Sequence, residues 1–463
     1  MILTDTKKSV QMDMLNGSIW DKLIRYALPV AATGILEQLF NASDIAVVGN
    51  FTGNAKTIAV AAVGANSPIV GLILNLFIGI ALGANVIIAN AVGKGDDRTI
   101  RKAVHTSIIT AIVGGLAVAV IGEFFIGDLL KMLNVPTDVF PYALMYIRIY
   151  LLGMPVILLY NFEAAIFRSI GETKMPLKAL FFSGILNVLL NLFFVIVLKM
   201  TVNGVAIATV ISNAVSSVIL FIRLMKTQSI IRVSMEDMQF DKSVFARIIR
   251  IGLPAGIQSA VFAVANIVIQ SAINSLGTVV IAASSAAFNI EIFAYDILNS
   301  FSQACTTFTG QNYGAGKLKR CRKVLKLCII EDVIATALAI ILVLISGRFL
   351  LSIFNNDPQV INIGYTRLMM VFSAYAFSML YENMSGYLRG FGISLVPAIL
   401  TIIGVCGVRL FWIYTVFPAH RNFTAIMTVY PVSLSTTAVL IFIALMIFRP
   451  SHKLKNTKGV QRF

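Results

Sequence analysis

The chain is short of charged residues. Only 13% of its 463 residues are charged, whereas 58% are hydrophobic, and the mean hydropathy is +0.87. A soluble protein of this length does not need so apolar a composition. The balance therefore argues against the soluble classes and predicts an all-α polytopic membrane protein.

Motifs of several enzyme and pump classes are also missing. The four cysteines have no paired metal spacing and lie in or beside apolar stretches, which predicts free packing thiols. The three histidines form no H-E-x-x-H, which disfavours a membrane metalloprotease. No G-x-x-x-x-G-K-[ST] loop occurs, which disfavours ATP-driven transport by this chain. We therefore expect no enzymatic activity and no cofactor.

The formal net charge is nevertheless +16. In a soluble protein this would suggest a nucleic-acid partner, but the Lys and Arg residues lie mainly in connections on one side of the apolar segments, with Lys7, Lys8 and Arg462 near the ends. Such asymmetry is a signature of membrane topology, so we expect a lipid bilayer around the chain and no nucleic acid. It predicts a multi-pass protein of the inner (cytoplasmic) membrane with both termini cytoplasmic.

About twelve apolar segments are long enough to cross the hydrocarbon. The predicted spans are Leu23–Gly49, Ile58–Ala91, Ala103–Ile126, Val139–Arg168, Leu177–Leu198, Val205–Arg223, Ile248–Ser271, Val279–Asn312, Val324–Ser346, Val360–Arg389, Leu395–Val416 and Ala425–Phe448. The polar stretch between the sixth and seventh spans predicts three parts. These are an N-terminal six-helix lobe (1–224), a cytoplasmic linker (225–245) and a C-terminal six-helix lobe with a basic tail (246–463).

An internal repeat supports the two lobes. "LYNFEAAIFRSIGETKMP" from Leu159 aligns without gaps on "LYENMSGYLRGFGISLVP" from Leu380, at an offset of 221 residues. The same offset aligns "ANAVGKGDDRTIRK" from Ala89 with "GQNYGAGKLKRCRK" from Gly310. Two repeats of even helix number, inserted the same way round, form a parallel repeat that suits rocking alternating access around a central cleft.

The first predicted span carries two acids, Glu37 and Asp44. An acid within a membrane helix costs roughly 2.5–3.5 kcal/mol on insertion, so it normally faces a cavity and marks an ion or substrate path. The two acids lie about two helical turns apart and share a face. The alternative is that they pair with cations of the helix bundle and fix its packing.

These residues carry a family resemblance. "GSIWDKLIRYALPVAATGILEQLFNASDIAVVGN", "FIGIALGANVIIANAVGKGD" and, in the second half, "GQNYGAGK" resemble the multidrug and toxic compound extrusion (MATE) family over essentially the whole chain. The resemblance implies a secondary antiporter with two pseudo-symmetric six-helix lobes. It would export cationic, amphipathic compounds in exchange for sodium ions or protons. We expect such a chain to function as a monomer.

The resemblance also implies an ion-coupling site at Asp44. Sodium would need a cluster of oxygen ligands around this carboxylate, whereas a proton needs only the carboxylate itself. In the fifth span, Asn187 and Asn191 lie four residues apart on one face. Relatives often have an acid at the position of Asn191, but an amide can still coordinate a cation or bond a protonated Asp44. The alternative is that both asparagines only join helices. Glu37 is a further candidate for this site.

Six other charged residues are candidates for the substrate cleft or its gates: Glu163, Arg148, Glu291, Asp296, Glu382 and Arg409. Glu163 and Arg168 predict a salt bridge at a gate or interface, and Arg148 is a possible counter-charge for Asp44 or Glu37. The second half offers the acids Glu291, Asp296 and Glu382, with Arg409 as counter-charge for one of them. There, a structural ion pair and a substrate contact both stay open.

A lipid flippase is the alternative function. Related two-lobed folds move lipid-linked oligosaccharides or other amphipathic lipids, and such a protein should line its cleft with cations for a pyrophosphate. The identifiable deep charges in the first and eighth spans are acids. This difference favours cation export.

Overall fold

The computed structural model describes residues 12–453, and every regular element within them is helical. Lys7, Lys8 and Arg462 lie outside the described residues. The helices are α1 (Trp20–Phe51), α2 (Lys56–Lys94), α3 (Asp97–Met132), α4 (Phe140–Leu152), α5 (Met154–Ser169), α6 (Lys174–Leu192), α7 (Val202–Lys226), α8 (Lys242–Asn274), α9 (Thr278–Gly314), α10 (Leu318–Phe354), α11 (Pro358–Gly390), α12 (Leu395–Thr401), α13 (Val408–Ala419), α14 (Phe423–Met427), α15 (Val429–Phe448) and α16 (Pro450–Lys453). A 3₁₀ turn, Gly53–Ala55, joins α1 to α2. π-helical segments follow α6 (Phe193–Val197) and link α12 to α13 (Ile402–Gly407).

Among these residues, ten helical segments are long and apolar enough to cross a membrane. The bent pair α4 and α5 makes an eleventh if it is counted as one span. Helix α1 has 32 residues and is long enough to span, but Glu37, Asn41 and Asp44 lower its hydropathy. With α1 included, the described helices reach the predicted number of twelve. The predicted all-α polytopic fold is confirmed.

The predicted fourth span, Val139–Arg168, is not one straight helix. It bends by 51° between α4 and α5. Pro155 lies in the first turn of α5, where its missing N–H costs no helical hydrogen bond. A Cβ at Gly153 would overlap Val210 of α7, and a Cβ at Gly115 of α3 would overlap the backbone of Pro155. The bend therefore lets α5 start in close contact with α3 and α7.

Backbone contacts divide the described chain into two compact units. Unit 1 contains Met12, Ala32–Ile88 and Asp96–Ile249, and unit 2 contains Asp13–Ala31, Ala89–Gly95 and residues 250–453. The core of unit 1 includes buried Val48, Ile147, Leu151, Leu158 and Val205. The core of unit 2 includes buried Ile290, Leu298, Leu368, Leu388 and Ile441. The lobe boundaries predicted from the sequence stay a prediction.

The polar connection between α7 and α8 packs on α3 within unit 1. Lys102 Nζ lies 2.6 Å from Asp241 Oδ2, and the Asp241 backbone N–H donates to Thr106 Oγ1 at 3.1 Å. The N–H of Ser234 donates to His105 Nε2 at 3.3 Å. These contacts attach the connection to α3 at Ser234, near its middle, and at Asp241, near its end.

Candidate ion site

A cavity in unit 1 is surrounded by α1, α2, α4, α5, α6 and α7. It has about 750 Å³ of empty space, its open mouth included. Its walls combine aromatic rings with carboxylates, amides and hydroxyls. The lining residues are Glu37, Phe40, Asn41, Asp44, Leu74, Ile78, Tyr150, Ile157, Tyr160, Asn161, Leu180, Ser183, Gly184, Asn187, Thr209, Ser212 and Asn213.

Asp44 of α1 lies in the cavity wall and is only 6% exposed. Asn191 Nδ2 of α6 donates to Asp44 Oδ1 at 2.6 Å. Thr209 Oγ1 of α7 lies 3.0 Å from Asp44 Oδ2 and 3.0 Å from the Val205 carbonyl. The carboxylate is therefore held between α1, α6 and α7 by neutral groups.

The amides next to Asp44 have unused hydrogen-bonding capacity. Asn191 Nδ2 also lies 3.2 Å from Asn187 Oδ1, and Asn187 Nδ2 lies 3.4 Å from Thr209 Oγ1. Asn191 Oδ1 is buried and has no hydrogen-bond partner among the described residues. An unsatisfied buried oxygen is costly in a membrane helix. It can be satisfied by a cation or by a proton donor.

Gly184 lets α6 approach α1 closely. A Cβ at Gly184 would overlap the ring of Phe40. Gly184 lies about one turn before Asn187 and two turns before Asn191, on the same face of the helix. The close approach at Gly184 therefore brings both amides within reach of Asp44.

Glu37 lies two turns before Asp44 on α1, lines the same cavity and is exposed. The structure thus brings Glu37, Asp44, Asn187 and Asn191 to one cavity. Residues 12–453 contain no group of three or more His, Cys, Asp or Glu side chains that could hold a metal ion. Carboxylate, amide and hydroxyl oxygens at Asp44 suit a hard cation such as sodium better than a transition metal.

Glu163 does not form the predicted salt bridge with Arg168. Glu163 is fully buried on α5, and its Oε2 accepts a hydrogen bond of 3.0 Å from Ser217 Oγ of α7. Its Oε1 has no partner among the described residues. Side chains five residues apart on a helix point about 140° from each other, which explains why the pair does not form.

Arg148 is not a counter-charge for Asp44 or Glu37. Its Nε lies 3.3 Å from Glu123 Oε2 of α3, and the Arg148 side chain is 50% exposed. An exposed pair of this kind contributes little to stability. The sequence interpretation missed this partner because hydropathy does not show which neighbouring helix a side chain faces.

In unit 2, the counter-charge of Glu291 is Arg367, which the sequence interpretation missed. Arg367 Nη2 lies 2.5 Å from Glu291 Oε1, Arg367 Nε lies 3.1 Å from Glu291 Oε2, and Arg367 Nη1 donates to Ser284 Oγ at 2.6 Å. Both side chains of the pair are buried. The expectation that Arg409 pairs with an acid is wrong: no carboxylate of the described residues lies within ion-pair distance of Arg409.

The other acids of unit 2 are separate from this pair. Glu382 of α11 is buried, and Ser302 Oγ lies 2.9 Å from its carbonyl oxygen and 3.5 Å from its Oε2. Asp296 lies on α9, partly buried, five residues after Glu291. Asp332 of α10, not predicted, is fully buried and accepts hydrogen bonds from Thr336 Oγ1 at 2.8 Å and Asn383 Nδ2 at 2.5 Å.

The residues that the sequence interpretation missed differ in the signal that each gives in the sequence. Arg367 and Asp332 are charges within predicted spans, so the same rule that found Asp44 would have found them. Thr209 gives no such signal, because threonines in membrane helices commonly bond the carbonyl four residues earlier, as Thr209 also does. Only the three-dimensional structure brings it to Asp44.

Comparison with known proteins gives a family match in both halves of the chain. The family model MatE matches residues 29–193 and again residues 254–415. The two matches begin 225 residues apart and end 222 residues apart. One model matching twice agrees with the internal repeat that the sequence shows.

Curated relatives and solved structures agree with this match. The chain is 25% identical to the "Probable multidrug resistance protein YoeA" of Bacillus subtilis, over 85% of this chain and 86% of that protein. It is 25% identical to the "Probable multidrug resistance protein NorM" of Thermotoga maritima, over 84% of each. Its fold matches an outward-facing multidrug resistance MATE family transporter of the MOP superfamily with a TM-score of 0.88 and 20% identity, covering 96% of this chain and 98% of that chain.

Proposed function

Since the chain belongs to the MatE family, we propose that it is a secondary antiporter that exports cationic, amphipathic compounds in exchange for sodium ions or protons. The relatives named as probable multidrug resistance proteins support export of such compounds. The observation that supports ion coupling is the position of Asp44. Its buried carboxylate lies in the cavity wall and has only neutral hydrogen-bond partners.

Two coupling ions fit the residues around Asp44. For sodium, the ligands are the Asp44 carboxylate, the amide oxygens of Asn187 and Asn191 and the hydroxyl of Thr209. The unpartnered Asn191 Oδ1 supports this choice, since an amide group can turn its oxygen toward a cation. For a proton, Asp44 becomes neutral and donates to a neighbouring oxygen. In both cases one positive charge removes the cost of a buried carboxylate.

The cavity of unit 1 suits a cationic, amphipathic compound. Phe40, Tyr150 and Tyr160 offer aromatic faces, which attract organic cations. The exposed carboxylate of Glu37 adds a negative charge to the same cavity. Cargo and coupling ion would then compete for the negative charge of one cavity, which is the simplest basis for exchange.

In this proposal the lobes at 1–224 and 246–463, joined by the linker at 225–245, alternate between an outward-open and an inward-open state. The coupling ion drives export only if its affinity for Asp44 differs between the two states. We place the chain in the inner membrane as a monomer with both termini cytoplasmic. The residues predicted to line or gate the substrate cleft are Glu163, Glu291, Asp296, Glu382 and Arg409.

Ethidium efflux from proteoliposomes tests the proposal. Purified protein is reconstituted, and a sodium gradient and a proton gradient are imposed separately. Export driven by one gradient identifies the coupling ion. Asp44→Asn should insert and fold yet lose gradient-driven export, because the amide can neither release a proton nor offer a charge to sodium. Asp128→Asn, the same change on an exposed acid of α3, is the matched control and should keep export.

Two results would contradict the proposal. Normal efflux by Asp44→Asn would remove Asp44 from the coupling mechanism. Failure of both gradients to move several cationic dyes, with an active control transporter, would favour the lipid flippase.

A further inference from the structure

The cavity of unit 1 contains two carboxylates, Glu37 and Asp44, and none of its lining residues is Lys, Arg or His. Glu37 is exposed and forms no hydrogen bond with the described residues. Arg168 of α5 attracts Glu37 electrostatically, but it does not line the cavity. The wall that cargo would meet therefore carries negative charge at two separate points.

The spacing of the two carboxylates follows from the helix that carries both. Helix α1 is continuous from Trp20 to Phe51, so residues 37 to 44 belong to one helical segment. Seven residues advance an α-helix by about 10 Å and turn it through almost two full turns. Both side chains lean toward the start of the helix in the same way, so the carboxylates keep this spacing. Glu37 and Asp44 therefore present two negative charges about 10 Å apart on one face.

The wall between the two acids is aromatic and polar. Phe40 and Asn41 lie between them on the same face of α1 and line the cavity. Tyr150 of α4 also lines the cavity and interacts electrostatically with both Glu37 and Asp44. Aromatic rings pack against the apolar part of a cargo, and their faces attract positive groups. The empty space of about 750 Å³, mouth included, is in the range that takes a drug-sized ligand.

A cargo with one positive group can neutralise only one of these acids. A cargo with two linked positive groups can neutralise both, because the second group binds within the complex that the first has formed. The gain in affinity is largest when the linker matches the distance between the two sites, and it is lost when the linker cannot span them. Two fixed charges in one cavity therefore predict a preference for one length of linker.

We propose that this cavity takes dications whose two positive groups lie about 10 Å apart, with one group at Glu37 and the other at Asp44. The inference names the cargo class of the proposed export function and rests on that function. Each oxygen of the Asp44 carboxylate has one hydrogen-bond partner and can accept a second contact from the cargo. A dication displaces the coupling ion from Asp44, whereas a single cation can bind at Glu37 alone. Glu37 is thus the residue that determines selectivity for dications.

Isothermal titration calorimetry on purified protein, in nonionic detergent at low sodium concentration, tests the inference. The probes are bis(trimethylammonium) alkanes with four and eight methylene groups. Each is compared with the single cation of the same chain length, butyltrimethylammonium or octyltrimethylammonium, so that the apolar part is matched. The eight-methylene dication can reach both acids and should bind about a hundredfold more tightly than its single cation. The four-methylene dication is too short and should show no such gain.

Two variants assign the gain to the acids. Glu37→Gln and Asp44→Asn each leave one carboxylate in the cavity, so each should remove most of the gain of the eight-methylene dication over its single cation. Asp128→Asn, the same change on an exposed acid of α3, is the matched control and should keep the gain. Size-exclusion chromatography establishes that each variant is folded before it is titrated.

The outcomes separate this inference from the proposed function. Equal gains for the four-methylene and eight-methylene dications, or a gain that folded Glu37→Gln keeps, would overturn the preference for spaced dications. Gradient-driven efflux of ethidium, a single cation, is measured on the same preparations. If that efflux depends on Asp44, the proposed antiport stands even when the preference for one linker length fails. Normal efflux by Asp44→Asn would instead overturn the proposed coupling, on which this inference rests.

Discussion

Gly93 of α2 and Gly314 of α9 occupy equivalent positions in the two repeats, and each lies against the backbone of the other helix. A Cβ at Gly93 would overlap the carbonyl of Gln311, and a Cβ at Gly314 would overlap the carbonyl of Asn90. Asn90 and Gln311 are themselves equivalent at the offset of 221. The contact is therefore reciprocal, and only glycine fits at its two central positions.

We expect Gly314→Ala to destabilise the protein. The atoms that a methyl group would meet belong to a helix backbone, which cannot move aside as a side chain can, so the cost should reach or exceed the roughly 1–3 kcal/mol typical of overpacking. Loss of the monodisperse chromatographic peak on heating in detergent measures the effect. Gly71→Ala on α2 is the control, because a Cβ there meets nothing within 4 Å. Equal melting of the two variants would contradict the close contact.

The sequence predicted the helical class, the repeat and the residues on one face of the first span, because hydropathy and helical periodicity depend only on local order. Asp44, Asn187 and Asn191 meet in the structure because each was already on a polar face of an apolar helix. The partners of Arg148 and Arg409 could not be predicted in this way. The π-bulge before Arg409 changes which direction its side chain faces, and the packing of α4 on α3 decides that Arg148 meets Glu123; neither feature leaves a mark in the hydropathy.

Glu291→Gln should be strongly destabilising. It leaves Arg367 buried without its carboxylate, and breaking a buried ion pair from one side typically costs about 3–5 kcal/mol. Adding Arg367→Met should recover part of the loss, because the unpaired charge is then gone. Melting temperatures in detergent give the comparison. For reference, Asp128→Asn breaks an exposed pair with Lys131 and should cost no more than about 1 kcal/mol. A double variant less stable than Glu291→Gln would argue that the pair is not the source of the effect.

The connection between α7 and α8 should be held less firmly on α3 at acid pH. The hydrogen bond from Lys102, then those from Ser243 and the Val244 backbone, hold the pKa of Asp241 below its ordinary value. The pKa of Asp241 is lower in the folded state than in the unfolded state. The ionised carboxylate therefore contributes its full stabilisation above the ordinary carboxyl range, at about pH 4. That contribution is lost as the pH falls below this range. Hydrogen exchange of residues 227–241 should therefore speed up in acid beyond its intrinsic pH dependence.

The Asp241→Asn variant provides the comparison for that measurement. It should exchange faster than the wild type at neutral pH, and its protection should no longer change with the acid titration. If the wild type and Asp241→Asn kept the same pH profile, the Lys102 to Asp241 contact would not be what holds the connection.

Gly184→Ala tests whether the close approach of α6 to α1 positions the Asp44 site. The added methyl group would overlap the ring of Phe40, which must then turn away, and the open space next to it is the cavity that Asp44 lines. A displaced ring would take up space needed by the cargo, so we expect weaker gradient-driven efflux with little change in melting temperature. Phe40→Ala in the same chain removes the overlap and should restore much of the efflux. Residues in direct contact usually couple by about 0.5–3 kcal/mol, so the double variant should export better than the sum of the two single losses predicts. Simple addition of the two losses would show that Gly184 acts on the site in some way other than through Phe40.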